Sequence, residues 1–175
     1  MMRKRVKDRN IETQGAERQG GRQYGRLMAA ILVILAATWY VSTFWYQLML
    51  IQGKSMEPSF HSWQLVVLDK QPGEPGRGDV IAFHCDSLQA VLVKRVVALP
   101  GDSVLIKDGV LYINGEPDKT LPGESCISYA GIAAEELVLS EEEYFVLGDN
   151  LEYSKDSRYE EIGCIQKSDI IGRIL

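Results

Sequence analysis

Residues 27–51 read LMAAILVILAATWYVSTFWYQLMLI, and no charged side chain occurs between Arg26 and Lys54. At about 1.5 Å per residue this stretch makes roughly 37 Å of helix, enough to cross a hydrocarbon core of about 30 Å with some tilt. Aromatic residues crowd its second half, as they do where a helix leaves the bilayer. The stretch predicts one transmembrane helix that separates a short N-terminal part from a long C-terminal part.

Two other interpretations of residues 27–51 are the buried core helix of a soluble protein and the apolar region of a cleaved secretory signal. The charge-free run is longer than the roughly 18 residues that indicate a membrane span. It is also longer than the apolar region of a secretory signal, which is typically about 7–15 residues. We therefore expect an uncleaved signal-anchor.

The two parts of the chain differ in charge. Residues 1–26 carry eight Lys and Arg and three acidic side chains, whereas the rest of the chain has 11 basic and 21 acidic residues, a net charge of −10. The positive-inside tendency predicts that residues 1–26 form a basic cytoplasmic tail and that residues 52–175 lie outside the membrane. The acidic body argues against nucleic-acid binding, which needs a basic surface on the phosphates.

Residues 52–175 contain short segments rich in Val, Ile, Leu and Tyr, separated by Pro-Gly, Asp-Gly and Asn-Gly pairs. The strongest hairpin signal is Asp108-Gly109, which stands between SVLIK and VLYIN. A weaker pattern in Ile132–Leu139 indicates one or two helical turns. The sequence predicts a mostly β, antiparallel outer domain with strands at Leu65–Leu68, Asp79–His84, Val91–Ala98, Ser103–Ile106, Val110–Ile113 and Tyr144–Leu147.

The three cysteines, Cys85, Cys126 and Cys164, are an odd number in a domain expected outside the membrane. One disulfide among them is allowed, and the pattern does not choose the pair. None of the three stands in the C-x-x-C spacing of a metal site, so the sequence gives no metal-ligand motif.

A turn-like segment with a serine, GKSMEP at residues 53–58, follows the predicted span directly. Gly-Lys-Ser also occurs in phosphate-binding loops, but that motif needs a further glycine at position 48, which is Leu48. Ser55 is instead a candidate nucleophile, because Gly53 allows close backbone approach and Pro58 stiffens the chain after the serine. A solvated or capping serine is the competing interpretation.

Two adjacent cations, Lys94 and Arg95, lie inside the apolar segment VLVKRVVALPGD at residues 91–102. Successive side chains of a strand point to opposite faces, so one of the two is a candidate for burial. A buried lysine loses solvation of its charged form, and the resulting fall in its pKa makes the neutral amine available as a general base. The competing interpretation is an exposed lysine that protects a sheet edge.

The third cluster is the loop GDNLEYSKDSR at residues 148–158. Asp156 and Arg158 are candidates for an ion pair that fixes its shape, and Ser154 offers a hydroxyl to a neighbouring amine. A surface turn with incidental charges is the alternative. Among candidate bases for Ser55, His61 and His84 have no distinctive surrounding motif, which favours a Ser-Lys variant of the serine-protease mechanism.

These clusters, in this order after a basic tail and one span, resemble the type I signal peptidases, membrane-bound serine proteases that remove signal peptides from exported proteins. The resemblance extends over nearly the whole chain and is to the short, single-span Gram-positive form. It implies that Ser55 is the nucleophile, that Lys94 is the general base and that Ser154 orients the lysine amine. Supporting roles are implied for Asp149, Asp156, Arg158 and Arg95.

The resemblance also implies a mostly β catalytic domain with a long antiparallel ribbon, in which residues 103–140 form a small variable insertion. The substrate is expected to bind as an added extended strand, with small residues at −1 and −3 in two shallow pockets near Met56, Leu92 and Val93. No metal or organic cofactor is implied. The expected partners are secretory preproteins, the lipid bilayer and the secretion translocon, with the enzyme in the cell membrane.

Gly53 stands two residues before the nucleophile, where some members carry a hydroxyl side chain that completes the oxyanion hole; glycine at this position is similar to the pattern of the Gram-positive members. One other position departs from the family pattern. Leu151 stands where many members have arginine. Two alternatives are a membrane-anchored assembly factor that has the same fold without catalysis, and a peptidase specialised for pilin or spore-coat substrates.

Overall fold

The computed structural model describes residues 24–71, 73–122 and 126–175. The chain divides into two compact units, Met1–Thr43 and Phe44–Leu175. The first described element is helix α1, Tyr24–Phe44, whose 21 residues are long and apolar enough to cross a membrane. Residues 1–23, most of the predicted basic tail, lie outside the described residues.

The helix ends earlier than the sequence predicts. Within the predicted span 27–51, α1 stops at Phe44 and Tyr46–Leu50 form strand β1. This strand pairs antiparallel with β2, Leu65–Asp69, in a register that places Leu50 opposite Leu65. A short apolar run does not by itself distinguish a strand from the end of a helix, and the backbone pairing with β2 decides it here.

The second unit is built from antiparallel strands, which confirms the predicted mostly β fold class. After β1 and β2 the strands are β3 (Val80–Cys85), β4 (Ala90–Ala98), β5 (Ser103–Lys107), β6 (Val110–Ile113), β7 (Glu116–Pro117), β8 (Leu137–Val138), β9 (Glu143–Leu147), β10 (Ile165–Gln166) and β11 (Ile170–Ile174). A larger sheet has the order β1-β2-β11-β3-β4-β9-β10, and a smaller one has the order β7-β6-β5-β8.

The predicted strands are confirmed, with ends that differ by one residue at most. The predicted hairpin joins β5 to β6: Lys107 pairs with Val110, and Asp108 and Gly109 have φ of 51° and 79°. Positive φ at both positions is what a two-residue type I′ turn requires. The helical turns expected in Ile132–Leu139 are a 3-10 turn at Gly131–Ala134 followed by β8.

Strand β4 positions the chemistry-bearing residues because it pairs with a different strand on each edge. Along one edge Lys94 lies opposite Ile81 of β3, and along the other Arg95 lies opposite Leu147 of β9. Within the described residues, β9 covers only the Arg95–Ala98 half of β4, so the first half has an open edge. Because β9 ends at Leu147, the chain leaves the sheet beside Arg95.

The thiols of Cys85, Cys126 and Cys164 are free. Cys85 is buried and Cys126 is exposed. The disulfide that the sequence allowed is therefore absent among these three residues.

Candidate active site

Ser55 lies in a turn of the loop that joins β1 to β2. The loop is closed by the backbone, since Ile51 donates to the Gln64 carbonyl at 2.9 Å and accepts from Trp63 at 2.7 Å. Next to Ser55, the side chain of Met56 is buried in an apolar cluster that includes Ile51. The turn is thus anchored in the core, and Ser55 itself stays half-buried.

Lys94 is the inward-facing cation of β4 and only 3% exposed. Its Nζ lies 2.8 Å from Ser55 Oγ, although 39 residues separate the two in the chain. Burial is the main effect that lowers the pKa of Lys94, to about 8; Asp156 and Asp149 oppose the fall and the charge of Arg158 adds to it. No carboxylate within the described ranges forms an ion pair with this amine. A buried amine with a lowered pKa in contact with a hydroxyl is the arrangement of a Ser-Lys dyad.

Arg95 points to the other face of β4 and is held on several sides. Its Nε and Nη2 donate to the two carboxylate oxygens of Asp149 at 2.7 and 2.6 Å. Its Nη1 donates to the Gly78 carbonyl at 2.7 Å, and Nη2 also reaches Ser59 Oγ at 3.3 Å. This bidentate pair fixes the start of the loop after β9 against β4.

The loop at residues 148–158 is held by a second buried ion pair. Arg158 donates from Nε and Nη2 to the Asp156 carboxylate at 2.7 and 3.0 Å, and both side chains are almost fully buried. Arg158 Nη2 also donates to the carbonyls of Leu151 and Ser154, while Asp156 accepts the Gly148 N–H at 3.0 Å. The loop has no regular strand pairing, and these hydrogen bonds fix its conformation instead.

The same arginine also connects the loop to the segment that contains the smaller sheet. The Arg158 carbonyl accepts the Ile132 N–H at 3.0 Å, and Arg158 Nη1 donates to the Tyr129 carbonyl at 3.4 Å. The rings of Tyr129 and Tyr159 contact each other in a tilted arrangement, with centroids 4.9 Å apart. Tyr129 and Ile132, which lie in the expected insertion, therefore support the loop.

The Ser154 hydroxyl is buried, and within the described residues its Oγ has no hydrogen-bond partner. The bond to the lysine amine that the resemblance implies is thus not formed in this structure. Ser154 lies against Gly148, where a Cβ would overlap both the Ser154 hydroxyl and the Ser55 carbonyl oxygen. An unpaired buried hydroxyl typically costs about 1–3 kcal/mol, so this oxygen is ready to pair with a group that moves within the site.

Two of the three residues expected at the substrate pockets line one groove, and one of them, Val93, also packs against the apolar cluster that contains Met56. Leu92 and Val93 line a groove of about 290 Å³ between Met49–Gln52 and the first half of β4. Met56 does not line it, because this side chain is 1% exposed and packs in the core. The groove runs between the open outer edge of β1 and the open edge of β4, within the part of the chain that is described.

Sequence reasoning missed two contacts that hold the nucleophile. The Asn150 N–H donates to the Ser55 carbonyl at 3.0 Å, and Gly148 allows the close packing of Ser55 against Ser154. The run Gly-Asp-Asn signalled a tight turn, but a local pattern does not identify a partner that is 95 residues away. His61 and His84 are exposed, and neither makes a hydrogen bond to Ser55 within the described ranges.

Residues 24–175 match the protein-family model described as signal peptidase, peptidase S26. Signal peptidase I U of Bacillus subtilis (strain 168) is 34% identical over 157 residues, which cover 83% of this chain and 82% of that protein. Signal peptidase I P of Bacillus subtilis subsp. natto is 32% identical over 154 residues, 82% of each chain. A crystal structure of a signal peptidase I from Enterococcus faecalis V583 matches with a TM-score of 0.49 and 30% identity, covering 59% of this chain and 99% of that chain.

Proposed function

Because this chain belongs to the signal peptidase family, peptidase S26, we propose that Ser55 attacks the scissile carbonyl of its substrate and that Lys94 is the general base. The family consists of serine peptidases that remove signal peptides, so the substrates are secreted preproteins. The observation that carries the proposal is the 2.8 Å contact between Lys94 Nζ and Ser55 Oγ. A pKa of about 8 leaves part of the lysine population neutral near physiological pH.

In the acylation step the neutral Lys94 amine takes the Ser55 hydroxyl proton as Oγ bonds to the carbonyl carbon. The Ser55 backbone N–H donates to the oxyanion that forms. When the C–N bond breaks, Lys94 gives its proton to the leaving amine of the mature protein. Water, deprotonated by the same lysine, then attacks the acyl carbon. The ester bond to Ser55 Oγ breaks, Lys94 gives the proton to Oγ, and the signal peptide leaves as a carboxylic acid.

The supporting residues act on the loop that flanks this dyad. Arg95 with Asp149, and Arg158 with Asp156, hold the loop in place beside β4. Ser154 orients the Lys94 amine once the amine shifts from Ser55, which satisfies the hydroxyl that is unpaired in the described structure. Gly53 has no side chain that could donate a second hydrogen bond to the oxyanion, so we propose that a second donor comes into place only when the substrate binds.

The signal peptide binds as an extended strand in the groove between β1 and β4. Both bordering strands have open edges there, so backbone groups are available for main-chain hydrogen bonds. Leu92 and Val93 both line this groove, and the Val93 side chain, which packs against the same cluster as Met56, narrows it, which favours small residues at −1 and −3. Met56 contributes indirectly, because its buried side chain anchors the turn that carries Ser55 in the apolar core.

Helix α1 and the family together indicate membrane anchoring. We further propose that the tail is cytoplasmic, that residues 52–175 are extracytoplasmic and that the enzyme works near the translocon. One face of the β1–β2 pair supports contact with lipid, because its apolar side chains are between 37% and 65% exposed. These side chains are Tyr46, Leu48, Leu50, Leu65 and Val67.

The test is cleavage of a secretory precursor by the full chain in detergent micelles. We expect Ser55→Ala and Lys94→Ala each to lower the cleavage rate at least about 10³-fold, because each removes a member of the dyad. Lys54→Ala, which removes an exposed cation beside the nucleophile, is the matched control and stays within a few-fold of the wild type. Cleavage at the wild-type rate by folded Ser55→Ala or Lys94→Ala would refute the assignment.

A further inference from the structure

A second groove, of about 440 Å³, lies beside the turn that carries Ser55. It is lined by Glu57, Pro58, Cys126 and the loop residues 149–152. It shares no lining residue with the groove between β1 and β4. The Asn150 N–H binds the Ser55 carbonyl, so one wall of the second groove is joined directly to the nucleophile.

The two grooves follow the order of the chain around Ser55. The first is lined by Met49–Gln52, which precede the nucleophile, and the second by Glu57 and Pro58, which follow it. An extended peptide that places its scissile carbonyl at Ser55 Oγ continues beyond the nucleophile on its mature side. We infer that the second groove binds the first residues of the mature protein, after the scissile bond; the inference rests on the proposed function.

The charges of this groove predict which residues it favours. Three carboxylates line it, and Asp149 among them is paired with Arg95 at 2.6 Å. Glu57 and Glu152 form no ion pair within the described residues, and no basic side chain lines the groove. Mature-side residues with positive charge are therefore favoured over negative ones, and salt weakens the preference because Glu152 is exposed.

The first test compares two precursors that differ only in Lys or Glu at +2 and +3. At low ionic strength the wild-type chain cleaves the lysine precursor with a kcat/KM about threefold to tenfold higher. Glu57→Gln/Glu152→Gln brings the ratio near one, whereas the control Glu135→Gln/Glu136→Gln, which removes the same charge from exposed positions of the insertion, keeps it. A wild-type ratio of one, or an unchanged ratio in the groove variant, overturns the inference.

The second test uses the exposed Cys126 thiol as a position marker. An uncleaved precursor with a bromoacetyl group at +2 is bound to Ser55→Ala, and alkylation of Cys126, with loss of bromide, is read by mass spectrometry. Labelling from +2 but not from −3, and its loss in Cys126→Ser, is the expected result. Labelling from −3 alone, or none from +2 while binding persists, overturns the inference.

The two proposals fail in distinguishable ways. Cleavage by folded Ser55→Ala contradicts the proposed catalytic residues whatever the charge preference. Wild-type cleavage that depends on Ser55 but ignores charge at +2 and +3 contradicts only the binding of the mature segment in the second groove.

Discussion

The two faces of β4 bury neighbouring cations in opposite ways. On one face Lys94 is 3% exposed and lies against the Ser55 hydroxyl, without a carboxylate partner within the described residues. On the other face Arg95 is clamped by both oxygens of Asp149 and by the Gly78 carbonyl. The same strand thus carries Lys94, whose pKa is lowered, and Arg95, whose side chain is fixed by hydrogen bonds.

The difference lies in the counter-charge. A buried amine without a carboxylate beside it favours the neutral form, and the pKa of Lys94 falls to about 8 mainly through burial. A guanidinium stays charged in proteins. The bidentate hydrogen bonds from Arg95 to the Asp149 carboxylate therefore hold the loop after β9 against β4. Two consecutive residues of β4 therefore have different roles: Lys94 transfers the proton, and Arg95 supports the loop after β9.

Exchanging the two side-chain types is expected to give the largest effect. Lys94→Arg places a group that cannot act as a base at the Ser55 contact, so precursor cleavage falls about 10³-fold or more. Arg95→Lys keeps the positive charge beside Asp149 but loses the fork, and cleavage falls less than about tenfold. Lys94→Met provides a second variant that lacks a base if Lys94→Arg does not fold. Equal losses from the two exchanges would contradict the division between the faces.

The pH dependence of cleavage tests the Lys94 face alone. Since only the neutral amine acts as a base, kcat/KM rises about tenfold per pH unit below the Lys94 pKa of about 8 and levels off above it. Between pH 6 and pH 8 the neutral fraction of Lys94 therefore rises about 50-fold, and kcat/KM rises with it. Arg95→Lys is expected to show the same pH dependence, with a lower kcat/KM at every pH. A flat profile in the folded enzyme would exclude Lys94 as the titrating base.

Stability is expected to change in opposite directions on the two faces. The Lys94 pKa is lower in the folded chain than its ordinary 10.5, so the folded state binds fewer protons than the unfolded state between about pH 8 and 10.5. Burial of the charged amine is then most costly below pH 8, and Lys94→Met raises the free energy of unfolding at pH 7 by on the order of 2 kcal/mol. That gain shrinks to near zero by about pH 10.5.

Asp149→Asn provides the matched change on the other face. It leaves the Arg95 guanidinium, which is 16% exposed, without its carboxylate, and lowers the free energy of unfolding by about 2 kcal/mol at both pH values. Urea unfolding of the full chain in micelles, followed by near-ultraviolet circular dichroism, measures both variants. A gain for Lys94→Met that is the same at pH 7 and pH 10.5 would show that charge burial is not its cause.

The sequence was sufficient to predict six strands, β2–β6 and β9, and the opposite directions of Lys94 and Arg95. It did not predict β1, which lay within the predicted span, or the strands β7, β8, β10 and β11. It did not show which cation faces inward, since that depends on how β3 and β9 flank β4. The residue patterns favoured a Ser-Lys pair, and the family resemblance then implied the roles of Ser55 and Lys94, because a contact across 39 residues leaves no local pattern. The same limit applies to the strand pairing of β11 between β2 and β3.

The end of α1 shows a second limit of sequence patterns. Apolar composition runs without interruption through Phe44 and Tyr46, but the chain changes from helix to strand there. Hydrophobicity indicates that a segment avoids water, and only the partner strand β2 specifies the backbone conformation. Ser154 shows the same dependence on neighbours, since its burial has no signature in the loop sequence.

Gly148 has a further consequence for how the enzyme tolerates variation. A hydrogen atom is all that fits where this residue meets Ser154 and the Ser55 carbonyl oxygen; the Ser154 hydroxyl can rotate, but the Ser154 Cβ and the Ser55 carbonyl oxygen cannot turn away. Even the Cβ of alanine would push the turn that carries Ser55 away from the loop at residues 148–158. Randomising this codon and selecting for secretion would thus return one amino acid, whereas the exposed position Glu136 would accept many.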